Sequence, residues 1–284
     1  VARDSRIKEA IVAPMGYSII GLDLSNIEVR VNLYLAGQGD QLDIIRSGLD
    51  MYRDFGNKVF NVPYDEITKA QRFISKTAVL GLGFGAGAKV LCKAINLGAK
   101  QYGFEVDVDE DEAKRIVGVY RDKNHKVVDL WGEADQMLEM MMSEKINKPL
   151  SFGLHGCVTY DSDGIILPNG LRIRYPNLRR EWEDGKSRIV YDSRKGPVSI
   201  WGGSVVENVV QAFARCIVSE QMIAINEKYP VVLTVHDAAV CVVREEEVNE
   251  AMEYIIECMS KPPEWAVGLP VACEAKVASS YGEC

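Results

Sequence analysis

Across 284 residues there is no CxxC pair, no GK[ST] phosphate loop, and no apolar run near the roughly 20 residues of a membrane span. With only three histidines and no paired thiols, a structural zinc site lacks ligands. The seven cysteines (92, 157, 216, 241, 258, 273 and 284) read as reduced, mostly buried thiols. Residues 1–30 lack the layout of a signal peptide, so the expected location is cytoplasmic. Positive charge is also scarce: 33 Lys and Arg against 41 Asp and Glu give a net charge of -8. Broad phosphate binding draws on a basic surface, so any nucleic-acid contact here must rest on local basic patches or on a basic partner. Internal repeats and low-complexity linkers are absent. What is there, 47% hydrophobic and 26% charged residues, describes a globular protein of one large domain or two intertwined ones.

The stretch Tyr17–Glu28 is an apolar strand that delivers Asp23 and then turns into a helix carrying Ile27, Val31 and Leu35 at four-residue spacing. Its counterpart is Val231–Val243, where two apolar runs flank His236 and Asp237. Two strands that each present an Asp can hold a pair of divalent metals. Each feature also has a structural explanation. Ser25 and Glu28 fit a capping box, Asp23 suits a helix N-terminus, and His-Asp in a turn is ordinary turn chemistry.

Between these strands, Asp50–Phe60 and Ile67–Phe84 are expected to be helical, followed by helices over Ala113–Tyr120 and Val127–Ile146. Six acidic residues among Glu105–Glu112 read as a solvated helix start. Arg72, Lys76, Leu80 and Phe84, four apart, form a helical stripe roughly 18 Å long. Cations at one end and apolar groups at the other match a nucleoside triphosphate, although an amphipathic helix with surface cations explains the pattern too. Gly81, Gly83, Gly85 and Ala86 imitate a dinucleotide fingerprint but follow a helix pattern where a strand is required. Turn residues punctuate 157–200 as hairpins, and Leu171–Lys195 is the most basic stretch, with eight Lys/Arg against four Asp/Glu. A salt-bridged face accounts for it simply. Ser204 is a candidate N-cap, with Glu207 three residues on, for a helix running to about Tyr229. A short strand over 6–16, a helix over Glu245–Ser260 and a last strand near Leu269–Val277 complete the expected elements.

Taken together and in order, these motifs resemble the polymerase module of family A DNA polymerases, above all those of bacteriophages. The family's D-Y-S-Q-I-E-L-R stands here as Asp23-Leu24-Ser25-Asn26-Ile27-Glu28-Val29-Arg30. Its R-x-x-x-K-x-x-x-F-x-x-x-Y-G stands as Arg72, Lys76, Leu80, Phe84 and Gly85, and its V-H-D-E as Val235-His236-Asp237-Ala238. The helix with Glu207, Asn208, Gln211 and Arg215 is similar to the one that carries the family's conserved Gln.

The resemblance implies an α+β fold: a palm, with an antiparallel sheet backed by helices, over 1–50 and 201–284, and mostly helical fingers over 51–200. It implies template-directed DNA synthesis on two Mg2+ ions, with Mn2+ as a substitute, held by Asp23, Asp237 and the Leu24 carbonyl. Ser25, Glu28, Arg72, Lys76, Leu80 and Phe84 would surround the dNTP, with Glu28 as the steric gate against ribose and Lys76 as a proton donor to pyrophosphate. His236, Gln211, Asn208 and Glu207 would contact primer and template. Ala238 departs from the family's third acid, Leu80 from an aromatic, and Phe84 from a tyrosine. Family members carry a thumb and an exonuclease, or its remnant, upstream. The chain begins at Val1, inside the palm, so a companion chain or a truncation is expected. A single-subunit RNA polymerase and an inactive nucleic-acid-binding subunit are the competing readings.

Overall fold

The computed structural model describes residues 6–143, 146–183 and 185–284. After a 3-10 turn at Arg6–Ala10, strand β1 (Tyr17–Leu24) leads to α1 (Ile27–Ala36) and α2 (Gly39–Arg46). Next come α3 (Met51–Phe60), α4 (Lys69–Leu82), α5 (Ala88–Tyr102), α6 (Glu110–Lys123) and α7 (His125–Ser143). Seven short strands follow: β2 (Leu150–Phe152), β3 (Val158–Asp161), β4 (Gly164–Ile166), β5 (Arg172–Ile173), β6 (Arg179–Glu183), β7 (Lys186–Ser193) and β8 (Gly196–Ile200). The chain closes with α8 (Gly202–Asn226), β9 (Val231–Val235), β10 (Ala238–Arg244), α9 (Val248–Ser260) and β11 (Cys273–Ala278). Two compact units result, one of residues up to Arg30 with Gln211–Cys284, the other Val31–Val210.

The first unit is built on one antiparallel sheet of order β11-β1-β10-β9. Its central strand β1 is apolar because it is paired on both sides and has α9 packed against it. Ile20, Leu22 and Leu24 are buried on one face, whereas Asp23 is exposed on the other. This is the period-2 alternation of a half-covered sheet. Beside the sheet, Phe213 meets Trp265 edge-on at 4.9 Å between ring centres.

The second unit is helical through α7 and then forms two antiparallel sheets, β2-β3-β4-β5 and β6-β7-β8. Several helices start at side-chain caps. Asp50 caps α3 and Asp109 caps α6, so the acidic run is a helix start, as its charge implied. Part of the basic stretch is ion-paired: Arg172 with Asp161 at 2.6 Å, Arg179 with Asp192 at 2.8 Å and Glu181 at 2.6 Å, Arg180 with Glu139, and Arg188 with Glu181 at 3.7 Å.

Three local expectations are overturned. Residues 6–10 form a 3-10 turn, and only Val12 bridges Ser280, because Ile7 and Ile11 recur at four and not two. Ser25 and Glu28 do not form the N-cap and N3 pair, since Asn26 takes φ 53° and its carbonyl accepts the Arg30 amide, which starts the helix one residue later. The capping box with both bonds formed is Thr68 with Gln71, at the start of α4. Ser204 lies inside α8, and the Asp135 carboxylate instead accepts from the Gly202 amide at 2.5 Å.

Candidate active site

The acidic part of the site is made by strand pairing in the first unit. Asp23 sits opposite Ala238 in β10 and opposite Glu274 in β11, and residues paired in this way project to one face of the sheet. Asp237 lies one residue before Ala238, in the two-residue turn between Val235 and Ala238. His236 opens that turn at φ 54°, a backbone region uncommon for a side chain of its size. The turn is held from α8 by Arg215, whose Nη1 donates to the His236 carbonyl at 3.4 Å. Exposed Gln211 lies one helical turn before Arg215 on the same face.

Over this sheet face lies a cleft of about 640 Å3 whose walls include Asp23, His236, Asp237, Glu274, Lys276 and Tyr281. Burial first, then Cys284 and the Asp23 carboxylate, holds the Tyr281 hydroxyl above its usual range. Gly21 is small for a local reason, since a Cβ there would stand 2.7 Å from the Cys284 Cβ. Leu24 ends β1 with its side chain buried, and Ser25 is fixed by its amide donating to the Ala272 carbonyl at 2.8 Å. The Arg30 Nε donates to the Ser25 carbonyl at 2.7 Å, and Glu28 falls in the first turn of α1.

Among the described residues no three His, Cys, Asp or Glu side chains converge as a metal cage. Two carboxylates and a backbone carbonyl are nonetheless a hard oxygen donor set. They suit Mg2+, which dehydrates reluctantly and is commonly held by one or two carboxylates plus substrate phosphates.

The cationic part lies in the second unit. Arg72, Lys76 and Leu80 follow one face of α4, with Lys76 and Leu80 exposed. Phe84 does not continue the stripe, because α4 ends at Leu82 and Phe84 lies in the turn that follows. Gly83 closes the helix, its carbonyl accepting from Asn32 Nδ2 at 2.9 Å and Trp131 Nε1 at 3.1 Å. One glycine here has a packing cause. Gly85 takes φ 80°, and a Cβ on it would come within 2.2 Å of the Trp201 ring. On α8, Glu207 is exposed and Asn208 Nδ2 donates to the Tyr175 hydroxyl at 3.1 Å.

Asp23 on β1 and Asp237 in the β9–β10 turn thus line one cleft, and Arg72 and Lys76 share one helix face. Sequence reading missed Glu274 and Lys276, whose polar–apolar alternation in β11 was visible but whose place beside β1 was not. It also missed Asp50 and Tyr52, which touch the cations of α4.

The family model for DNA polymerase family A matches residues 2–145. The chain is similar to the DNA polymerase of Bacillus phage SP02, 31% identical over 290 residues, which cover 97% of this chain and 43% of that protein. It is similar to DNA polymerase I of Pseudomonas aeruginosa, 36% identical over 106 residues, 37% of this chain and 12% of that one. Among solved structures it resembles the POL domain of Pol1 from M. smegmatis, in complex with DNA primer-template and dNTP. That likeness has a TM-score of 0.67 at 22% identity, covering 98% of this chain and 42% of that chain. The chain therefore spans less than half the length of these relatives. With half of its residues matched by the family model and its three motifs in the family's order, the chain belongs to DNA polymerase family A.

Proposed function

We propose that this chain is the catalytic module of a template-directed DNA polymerase, acting in phage DNA replication inside the infected bacterial cell. The observation that carries the reading is the placement of Asp23 directly across from the hairpin whose turn holds Asp237. In the reaction the primer 3'-oxygen attacks the α-phosphorus of a dNTP, a new P–O bond forms, and pyrophosphate leaves. Asp23, Asp237 and the Leu24 carbonyl would hold two Mg2+ ions, which lower the pKa of the 3'-hydroxyl and neutralise the triphosphate when bound. Arg72 and Lys76 would bind the phosphates, with Lys76 placing a proton on departing pyrophosphate. Leu80 and Phe84 would flank the base and sugar. Glu28 would close off the space of a ribose 2'-hydroxyl, with Ser25 beside it. His236, Gln211, Asn208 and Glu207 would meet primer and template. In this reading the palm comprises 1–50 and 201–284 and the fingers 51–200.

A companion segment with a thumb, with or without a 3'-5' exonuclease, belongs to the same proposal and is supported by the greater length of the relatives. Ala238, across from Asp23 where the family has a carboxylate beside it, favours one alternative, a partner-dependent subunit that binds nucleic acid without extending it. Primer extension with Mg2+ and dNTPs, with and without a thumb-bearing segment added, separates the two. Extension by wild type that is lost in Asp23→Ala and Asp237→Ala supports the polymerase. DNA binding with no extension under either condition rejects it. Incorporation of rNTPs as readily as dNTPs would instead indicate an RNA polymerase.

A further inference from the structure

Asp50 and Tyr52 join the first turn of α3 to the cationic face of α4, and no role above uses them. The Asp50 carboxylate is itself immobilised. Its Oδ1 accepts from the Tyr52 amide at 2.9 Å and the Arg53 amide at 3.4 Å, and its own amide donates to the Tyr64 hydroxyl at 2.8 Å. The other oxygen, Oδ2, accepts from Arg72 Nε at 2.5 Å. Tyr52 is buried, and its ring lies under both cations, 5.4 Å from the Arg72 guanidinium carbon and 5.9 Å from Lys76 Nζ. Both distances fall within cation–π range. Lys76 has no hydrogen-bond or ion-pair partner among the described residues.

The chemistry of the guanidinium makes this contact informative. Arginine carries five N–H donors in one plane, and a carboxylate on Nε alone leaves the two terminal nitrogens as a fork for a second anion. A half-exposed arginine and an exposed lysine otherwise sample many rotamers, and ordering them at the moment of binding weakens affinity. A carboxylate fixed by a helix N-terminus, with an aromatic face shared by both cations, removes that freedom before ligand arrives.

The geometry points to Asp50 and Tyr52 as positioning residues that hold Arg72 and Lys76 as a preformed clamp for a triphosphate. The inference rests on the nucleotide-binding role of Arg72 and Lys76 given above. It differs from a latch, in which Asp50 would compete with phosphate for Arg72.

Two measurements on the same variants test it. In titration of the chain with inorganic tripolyphosphate, Asp50→Asn, which preserves the N-cap, should weaken binding about tenfold, and Asp50→Glu should recover part of the loss. Tyr52→Leu should weaken it about threefold, while Tyr52→Phe, which keeps the ring, should lose less than Tyr52→Leu. In primer extension, Asp50→Asn should raise the dNTP KM by a similar factor and leave kcat within about twofold. Unchanged tripolyphosphate affinity in Asp50→Asn would overturn the inference, and tighter binding would establish the latch in its place. Tripolyphosphate binding that follows this pattern in a chain that extends no primer would leave the clamp standing and reject the polymerase.

Discussion

The carboxylate cleft and the cationic helix face differ in how each is assembled and in what holds it ready. Asp23 and Asp237 are 214 positions apart in the chain and meet only because β1 pairs with β10. Arg72 and Lys76 are four positions apart, and a single helix places them side by side. The local site nonetheless has contacts from a second helix, Asp50 and Tyr52 at the start of α3 touching its cations, just as Arg215 of α8 bonds the turn beside Asp237. A sheet fixes side chains at its own strand ends through the backbone ladder, whereas long cationic side chains on an exposed helix face need a further carboxylate or ring to order them.

If the cleft supplies chemistry and the helix supplies binding, damage to each should register in a different parameter. The largest effect is expected in the cleft. Asp23→Asn or Asp237→Asn should lower single-nucleotide incorporation by about three orders of magnitude, with the fold kept because Asp23 is exposed, Asp237 is half-buried in a turn, and each replacement is isosteric. A drop in melting temperature that tracks the loss of activity would show that these residues are structural. Arg72→Ala comes next, with the dNTP KM raised about tenfold to thirtyfold in steady-state kinetics and kcat little changed.

A smaller effect, on stability alone, is expected at the turn after α4. Gly85→Ala puts a Cβ into the Trp201 ring at a positive φ and should cost about 1–3 kcal/mol in chemical denaturation. Smallest is a charge pair that belongs to neither region. The Arg172 hydrogen bond holds the Asp161 carboxyl below its usual range, against burial. The stability it contributes is present above pH about 4 and is lost as pH falls through the folded value, so Asp161→Asn should flatten the loss of melting temperature on acidification.

The same comparison explains what could be read in the sequence. The stripe of α4 and the apolar strands around Asp23 and Asp237 follow from spacing, because helices and strands have fixed periods. Phe84 fell off the stripe because a run of glycines ends the helix at Leu82, which a four-residue count ignores. Ser25 and Glu28 have capping-box spacing, as do Thr68 and Gln71, but only the latter form it. The choice was made by the φ 53° at Asn26, a backbone state that the spacing does not encode. Glu274 beside Asp23, and Asp50 on Arg72, depend on which strand or helix lies next to which, and that order is set by tertiary packing.

The most direct measurement is pre-steady-state incorporation of one dNTP on a primed template, resolved into maximal rate and apparent dNTP affinity. Asp237→Asn should lose rate at nearly unchanged affinity, and Arg72→Ala should lose affinity at nearly unchanged rate. Loss of the same parameter in both variants, or a wild-type rate in Asp237→Asn, would contradict the division of labour between the two sites.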